Sequence, residues 1–250
     1  MKNLFLILFI SLAFLTPSYG QTADSVVTLN ITARGGLSRL EKISSVKMVG
    51  VTTLQDLQAP FSILLKRPNK MRLEVLIHGD TLVQAYNGNI AWTILPTPNG
   101  NQLRKLSPMQ ANDLKHQADI DGPLVHYKQK GYTVQYGGTS EVNNHKTYKL
   151  RLTGKDGGIT TLHIDTKSHF TISETSIKKI RTNVASPLPD KILRVTTYFD
   201  DYRKVEGVAL PYKIETLVDG EKISNMDIDT ITLNVTVPDD LFDYPASASK

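Results

Sequence analysis

The sequence predicts one mainly β domain of the α+β class, a single strongly curved antiparallel sheet covered on its concave face by an N-terminal helix and a middle helical lid. Three observations predict it. Period-two runs of apolar residues recur along most of the 250-residue chain, the signature of half-buried strands. Short turn signals join the runs, as antiparallel neighbours require. Two segments, residues 22–33 and 107–127, break the alternation, and a sheet apolar on one face needs such elements to cover it.

The order of elements follows from the text of the chain. Met1, Lys2, an apolar run from Leu4 to Leu15 and small Ser18 and Gly20 read as a cleaved secretory signal over residues 1–20. The run is shorter than the roughly 20 residues a bilayer-spanning helix needs. Residues 21–250 then form the domain. Val26, Val27, Leu29 and Ile31 suit a first helix, and Gly35-Gly36 stops it. Leu37, Leu40 and Ile43 add one turn before the first strand. Phe61, Ile63 and Leu65 share one face of a strand, and Met71, Leu73, Val75 and Ile77 share one face of the next. The turn between them is Lys66-Arg67-Pro68-Asn69-Lys70, in which Pro presets φ and Asn tolerates the following position. Thr81–Tyr86 and Ile90–Leu95 flank Asn87-Gly88-Asn89, a hairpin signal.

Pro96 to Asn101 reads as a loop. Ser107-Pro108 suits a helix cap and first turn, and one or two amphipathic helices follow, split near Asp121-Gly122-Pro123. Alternation resumes after Gly131, with Tyr148, Leu150 and Leu152 opposing Lys149 and Arg151. Strands follow at 159–165, 170–180 and 192–200, then 208–218 and 221–235 around Asp219-Gly220. In the last strand Met226 and Ile228 share one parity and Ile231, Leu233 and Val235 the other, which requires a β-bulge near Asp229 and Thr230. The total is about ten strands, with a polar, frayed tail after Phe242. Two short helical segments over so wide a sheet leave two readings open: a filled core, as interiors usually are, or an apolar cavity.

Several function classes are disfavoured. The chain has no cysteine, so it can neither form disulfides nor be acylated as a bacterial lipoprotein. Its formal charge is +5, but the basic residues are scattered and not interleaved with aromatic platforms, so no nucleic-acid partner is expected. No Gly-x-Ser-x-Gly elbow or other catalytic spacing is present, and no enzyme activity or cofactor is expected. His163, Asp165 and His169 lack a second ligand cluster, and Asp227 and Asp229 alternate with apolar Met226 and Ile228 as solvent-facing acids do. No metal is expected. Asn30-Ile31-Thr32 and Asn234-Val235-Thr236 fit a glycosylation pattern, which would mean nothing if the chain is a bacterial envelope protein.

Lys66-Arg67-Pro68-Asn69 closing a strand, then Tyr86-Asn87-Gly88-Asn89-Ile90-Ala91-Trp92 and Pro96, resembles the LolA-like periplasmic lipoprotein carriers and the wider lipoprotein-sorting superfamily. The helix broken at Gly35-Gly36 and the closing Val237-Pro238-Asp239-Asp240-Leu241-Phe242 resemble it too. The resemblance implies an unclosed half-barrel whose apolar cavity carries lipoprotein or lipid acyl chains through the periplasm toward the outer membrane. Such a carrier is a monomer that touches inner- and outer-membrane transport components transiently. The implied lining is Phe61, Ile63, Leu65, Met71, Leu73 and Val75, with Leu150, Leu162 and Leu193. Arg67 is implied to point into the cavity and hydrogen-bond lid carbonyls, against the alternative of a solvated hairpin residue. Trp92 is either a ligand contact or a core side chain. The rival reading of the same fold is a non-catalytic envelope interaction or regulatory module.

Overall fold

The computed structural model describes residues 21–54, 56–180 and 191–245; the expected signal peptide lies outside them. Among the described residues thirteen strands form one antiparallel sheet. They are β1 (Ser45–Leu54), β2 (Leu57–Lys66), β3 (Lys70–Ile77), β4 (Asp80–Tyr86), β5 (Ala91–Thr97), β6 (Gly100–Lys105), β7 (Thr133–Val142), β8 (His145–Thr153), β9 (Ile159–Asp165), β10 (Thr171–Ile180), β11 (Lys191–Val205), β12 (Val208–Val218) and β13 (Glu221–Leu233). The order across the sheet is β6-β5-β4-β3-β2-β1-β13-β12-β11-β10-β9-β8-β7. Two meanders therefore join where β1 pairs with β13. The ends, β6 and β7, do not pair with each other, so the barrel stays open. Residues 96–101 are a correction to the expected loop: Pro96 pairs with Asn101 across a β5–β6 hairpin.

Among the described residues four α-helical segments accompany the sheet: α1 (Ala23–Ala33), α2 (Leu37–Leu40), α3 (Pro108–Gln117) and α4 (Tyr127–Lys130). Thr22 caps α1 and Ser107 caps α3, each in a reciprocal box with the residue three positions on. Gly35, at φ +120°, ends α1 where a Cβ would stand 2.5 Å from the Gly207 carbonyl oxygen. That close approach lets Ala209 donate its N–H to the Arg34 carbonyl (3.0 Å) and ties α1 to the β11–β12 turn. Asn30 is buried on α1 and donates to the His169 carbonyl at 2.9 Å, so it is no acceptor for a glycan.

The expected bulge is present. Val49 opposes Thr230 but Gly50 opposes Ile228, leaving Asp229 as the extra residue. The shift of facing allows Ile228, Ile231 and Leu233 all to be buried. A Cβ on Gly50 would meet the Asp227 carbonyl oxygen at 2.1 Å and the Ile228 Cα at 2.9 Å, both backbone atoms that cannot rotate away. Gly50→Ala is expected to lower stability by about 1–3 kcal/mol, read as a lower urea midpoint at unchanged slope.

Apolar side chains gather in three clusters. The first joins the inward residues of β1–β3 and β12–β13 to Leu40, Ile43, Leu114 and Val125 of the cover. The second packs Val26 and Val27 of α1 on Leu150, Leu152, Leu162 and Ile164. The third joins Val83, Ala85 and Trp92 to Tyr244. Phe242 lies in a short 3-10 helix (Asp239–Phe242) and is fully buried, and Tyr244 stands edge-to-face on Trp92 with centroids 6.4 Å apart. The chain is thus packed past Phe242, where fraying was expected; residues 246–250 lie outside the described ones.

Candidate functional site: the concave face and its latch

The β2–β3 turn delivers Arg67 to the cover. Its Nε donates to the Ile43 carbonyl at 2.5 Å and its Nη2 to the Leu40 carbonyl at 3.1 Å, so it holds the end of α2. The same guanidinium reaches both carboxylate oxygens of Asp121 at 2.7 and 2.6 Å, the bidentate geometry that makes Arg–carboxylate pairs strong. Arg67 is therefore not a solvated hairpin residue. Two further cations converge on the turn after α3: Arg34 donates to the Asp121 carbonyl at 2.7 Å, and Lys130 donates to the Gly122 carbonyl at 2.7 Å while pairing with Asp119. The Asn69 amide, with its NH2 turned toward α3, donates to the carbonyls of Lys115 and Ala118 at 3.2 and 3.3 Å. Asp121, Arg34 and Lys130 carry no role in the sequence reading, and Asn69 figures there only as a residue of the turn motif. Only the Asp-Gly-Pro break marked that turn, and no local pattern says which cation reaches it.

The electrostatics fit a latch. Burial pushes the Asp121 carboxyl up, but the Arg67 hydrogen bonds and the charges of Arg67, Lys130 and Arg34 outweigh it and hold the group below the ordinary carboxylate range. The Asp121 hydrogen bonds raise the Arg67 guanidinium in turn. A depressed carboxyl contributes stability that is present above its unfolded value and lost as pH falls through its folded one. Amide protection of α3 is expected to hold from neutral pH to about 5 and to drop as pH falls below about 4. Asp121→Asn should remove that step when exchange is followed by mass spectrometry.

The lining residues divide between clusters. Phe61, Ile63, Leu65, Met71 and Val75 are buried together and Leu73 is half-buried against them. Leu150 and Leu162 are fully packed under α1, in the second cluster. Leu193 is half-buried and falls in neither. Trp92 is a correction to the expected ligand set. It pairs with Ala85 and Lys105, not with the inward Met71–Tyr86 row, so its ring lies on the convex face. There its indole N–H donates to the Phe242 carbonyl at 2.9 Å and Arg72 lies 5.5 Å from the ring centroid. Sequence reading missed Met48, Ile214 and Met226, which are half-buried against the first cluster.

The cover holds on lightly. Among the described residues α3 buries one large apolar side chain, Leu114, with Ala118 at its end, and Met109 is exposed. Ala111 adds a small half-buried apolar contact, and the polar ties of α3 include Asp113 to Lys178 at 2.7 Å and His116 Nδ1 to the Tyr132 hydroxyl at 3.1 Å. His163, by contrast, is occupied by Ser173 on its own sheet, and Asp165 by the N–H groups and hydroxyl of its turn. No group of acids and histidines placed to hold a metal occurs among the described residues. Nor is any described helix long and apolar enough to cross a membrane.

An open antiparallel half-barrel whose helical cover is pinned by the arginine of its second hairpin defines the chain as having a LolA-like fold. It is similar to a LolA superfamily protein from Nitrosomonas europaea, at TM-score 0.56 and 16% identity over 89% of this chain and 98% of that one. A DUF1329 family protein from Desulfovibrio piger aligns at TM-score 0.58 and 12% identity, over 89% and 97%. A putative outer membrane lipoprotein-sorting protein domain from Vibrio parahaemolyticus aligns at 0.54 and 10% identity, over 88% and 97%. No family model and no curated protein sequence matches the chain.

Proposed function

We propose that residues 1–20 are a cleaved export signal and that residues 21–250 act in the periplasm as a carrier. The concave face takes the acyl chains of a lipoprotein or another lipid for transfer toward the outer membrane, with transient contacts to membrane components at either end. The observation that carries this reading is the mismatch between what the cover hides and what holds it. Beneath α2 and α3 lies the apolar set Phe61, Ile63, Leu65, Met71, Leu73 and Val75, yet α3 is fixed by one leucine and by charges that converge on Asp121. Exposing a leucine costs about 1.5–3 kcal/mol, whereas each acyl methylene taken out of water contributes about 0.8 kcal/mol. A single long acyl chain of about a dozen methylenes, about 10 kcal/mol, therefore outweighs lifting α3, which exposes Leu114 and releases the Arg67–Asp121 anchor at a cost of about 3–5 kcal/mol. Leu150 and Leu162 are occupied by α1, so the chain enters over β1–β3 and β11–β13.

The test is to purify the protein from an envelope fraction without detergent, record native mass spectra and identify extracted acyl species. Bound acyl mass that is lost when α3 is tethered closed supports the carrier. A protein that is empty and also ignores added lipoprotein and a fluorescent acyl probe would fit a non-catalytic envelope interaction module instead.

A further inference from the structure

The concave face is not uniformly apolar. One line of directly opposed residues runs across it: Leu150 faces Leu162, Leu162 faces Glu174, Glu174 faces Thr197, Thr197 faces Thr216, Thr216 faces Ser224 and Ser224 faces Leu54. Opposed residues in an antiparallel pair project to the same side. Leu150 and Leu162 under α1 fix that side as the concave one. Four consecutive strands thus present polar side chains inward between two apolar clusters, and all four are half-buried. Two residues along the strands, Ile214 and Met226 face each other and are half-buried beside the first cluster.

We infer that Glu174, Thr197, Thr216 and Ser224 form a head-group site for the acylated ligand, selective for an uncharged head bearing hydroxyl or ester groups. The inference rests on the carrier reading and adds the class of head to it. Hydroxyls both donate and accept, so three in a row with a carboxyl beside them match a polyol or ester. A phosphate head would meet the Glu174 carboxyl, while the nearest inward cation on that strand, Lys178, is already paired with Asp113. Burial pushes the Glu174 carboxyl up, with Lys178 offsetting part of the effect, and the same desolvation disfavours a charged head of either sign relative to a hydroxyl or ester. The chain would run from this row over Ile214 and Met226 toward Met48 and Leu73.

The test titrates the mature protein by calorimetry with dodecyl glucoside, dodecyl phosphate and dodecyltrimethylammonium, each below its micelle concentration. The glucoside is expected to bind about tenfold or more tightly than the two charged heads, a gap of about 1.4 kcal/mol. Thr197→Val with Thr216→Val, which keeps side-chain shape, should cut glucoside affinity about tenfold and leave the other two unchanged. Equal binding of all three heads, or a glucoside affinity untouched by the double variant, overturns the head-group site and leaves the carrier standing. If none of the three binds, the carrier reading falls and the head-group site with it.

Discussion

Replacing Arg67 with leucine is expected to cost about 3–5 kcal/mol of stability, because it strands a buried carboxylate that has lost its partner. Asp121 is only 7% exposed in its side chain, and both of its oxygens face the guanidinium. The same substitution frees the carbonyls of Leu40 and Ile43, so α2 and the turn after α3 lose their common anchor. Two readouts separate these effects. Urea unfolding measures the total, and amide exchange over residues 108–130 measures how far the loss is confined to the cover. Combining Arg67→Leu with Asp121→Leu should recover most of the stability, since removing both charges avoids the stranded one. Opening the cover is part of the cost of admitting an acyl chain, so the folded fraction of the single variant Arg67→Leu is expected to bind a fluorescent acyl probe more tightly than the parent. An Arg67→Leu protein with unchanged exchange and a stability loss under about 0.5 kcal/mol, the range of an ordinary surface change, would show that the contact is not a latch.

The parts of this site that were legible in the sequence are those encoded over short distances. Phe61, Ile63 and Leu65 alternate within one strand and Met71, Leu73 and Val75 within the next, so their common face follows from period two, and the observed register sets Phe61 opposite Val75 and Leu65 opposite Met71. The bulge at Asp229 was legible for the same reason, as a change of parity inside one strand. The strands that escaped lie at the edges. In β6, Gly-Asn-Gln-Leu-Arg-Lys offers one apolar residue, and β7 carries Gly137-Gly138 where its pairing shifts. An edge strand has one neighbour, and in β7 the alternate half-buried positions hold Val134 and Tyr136 before Gly138 and Ser140 interrupt the apolar series. Long-range chemistry was illegible for another reason. Arg67 and Asp121 lie 54 positions apart, and Glu174 lies beside Thr197 and Leu162 only through strand pairing. Each of these residues looks like an ordinary surface group until the register is known.

Trp92 tests that distinction between faces. Trp92→Ala is expected to destabilise the protein by about 3–5 kcal/mol and to leave the acyl-probe affinity of the folded fraction unchanged. The indole is 1% exposed, and its neighbours are Val83, Ala85 and the C-terminal Phe242 and Tyr244 rather than Ile63 or Met71. Trp92→Phe should keep most of the packing and lose the hydrogen bond to the Phe242 carbonyl, a loss of about 1 kcal/mol, which retains a folded protein for binding measurements. Because this is the chain's single tryptophan, its emission reports the convex face alone. Emission is expected to stay constant as acyl ligand is added and to shift when the segment after Val237 is removed. Affinity lost at unchanged stability, or emission that follows ligand, would place the ring in the ligand's path and return the convex face to the binding site. The division between faces has the opposite consequence: the segment from Val237 onward clamps β2–β5 from outside through Lys66, Arg72, Asn87 and Trp92, so those strands stay ordered while the cover opens on the inside.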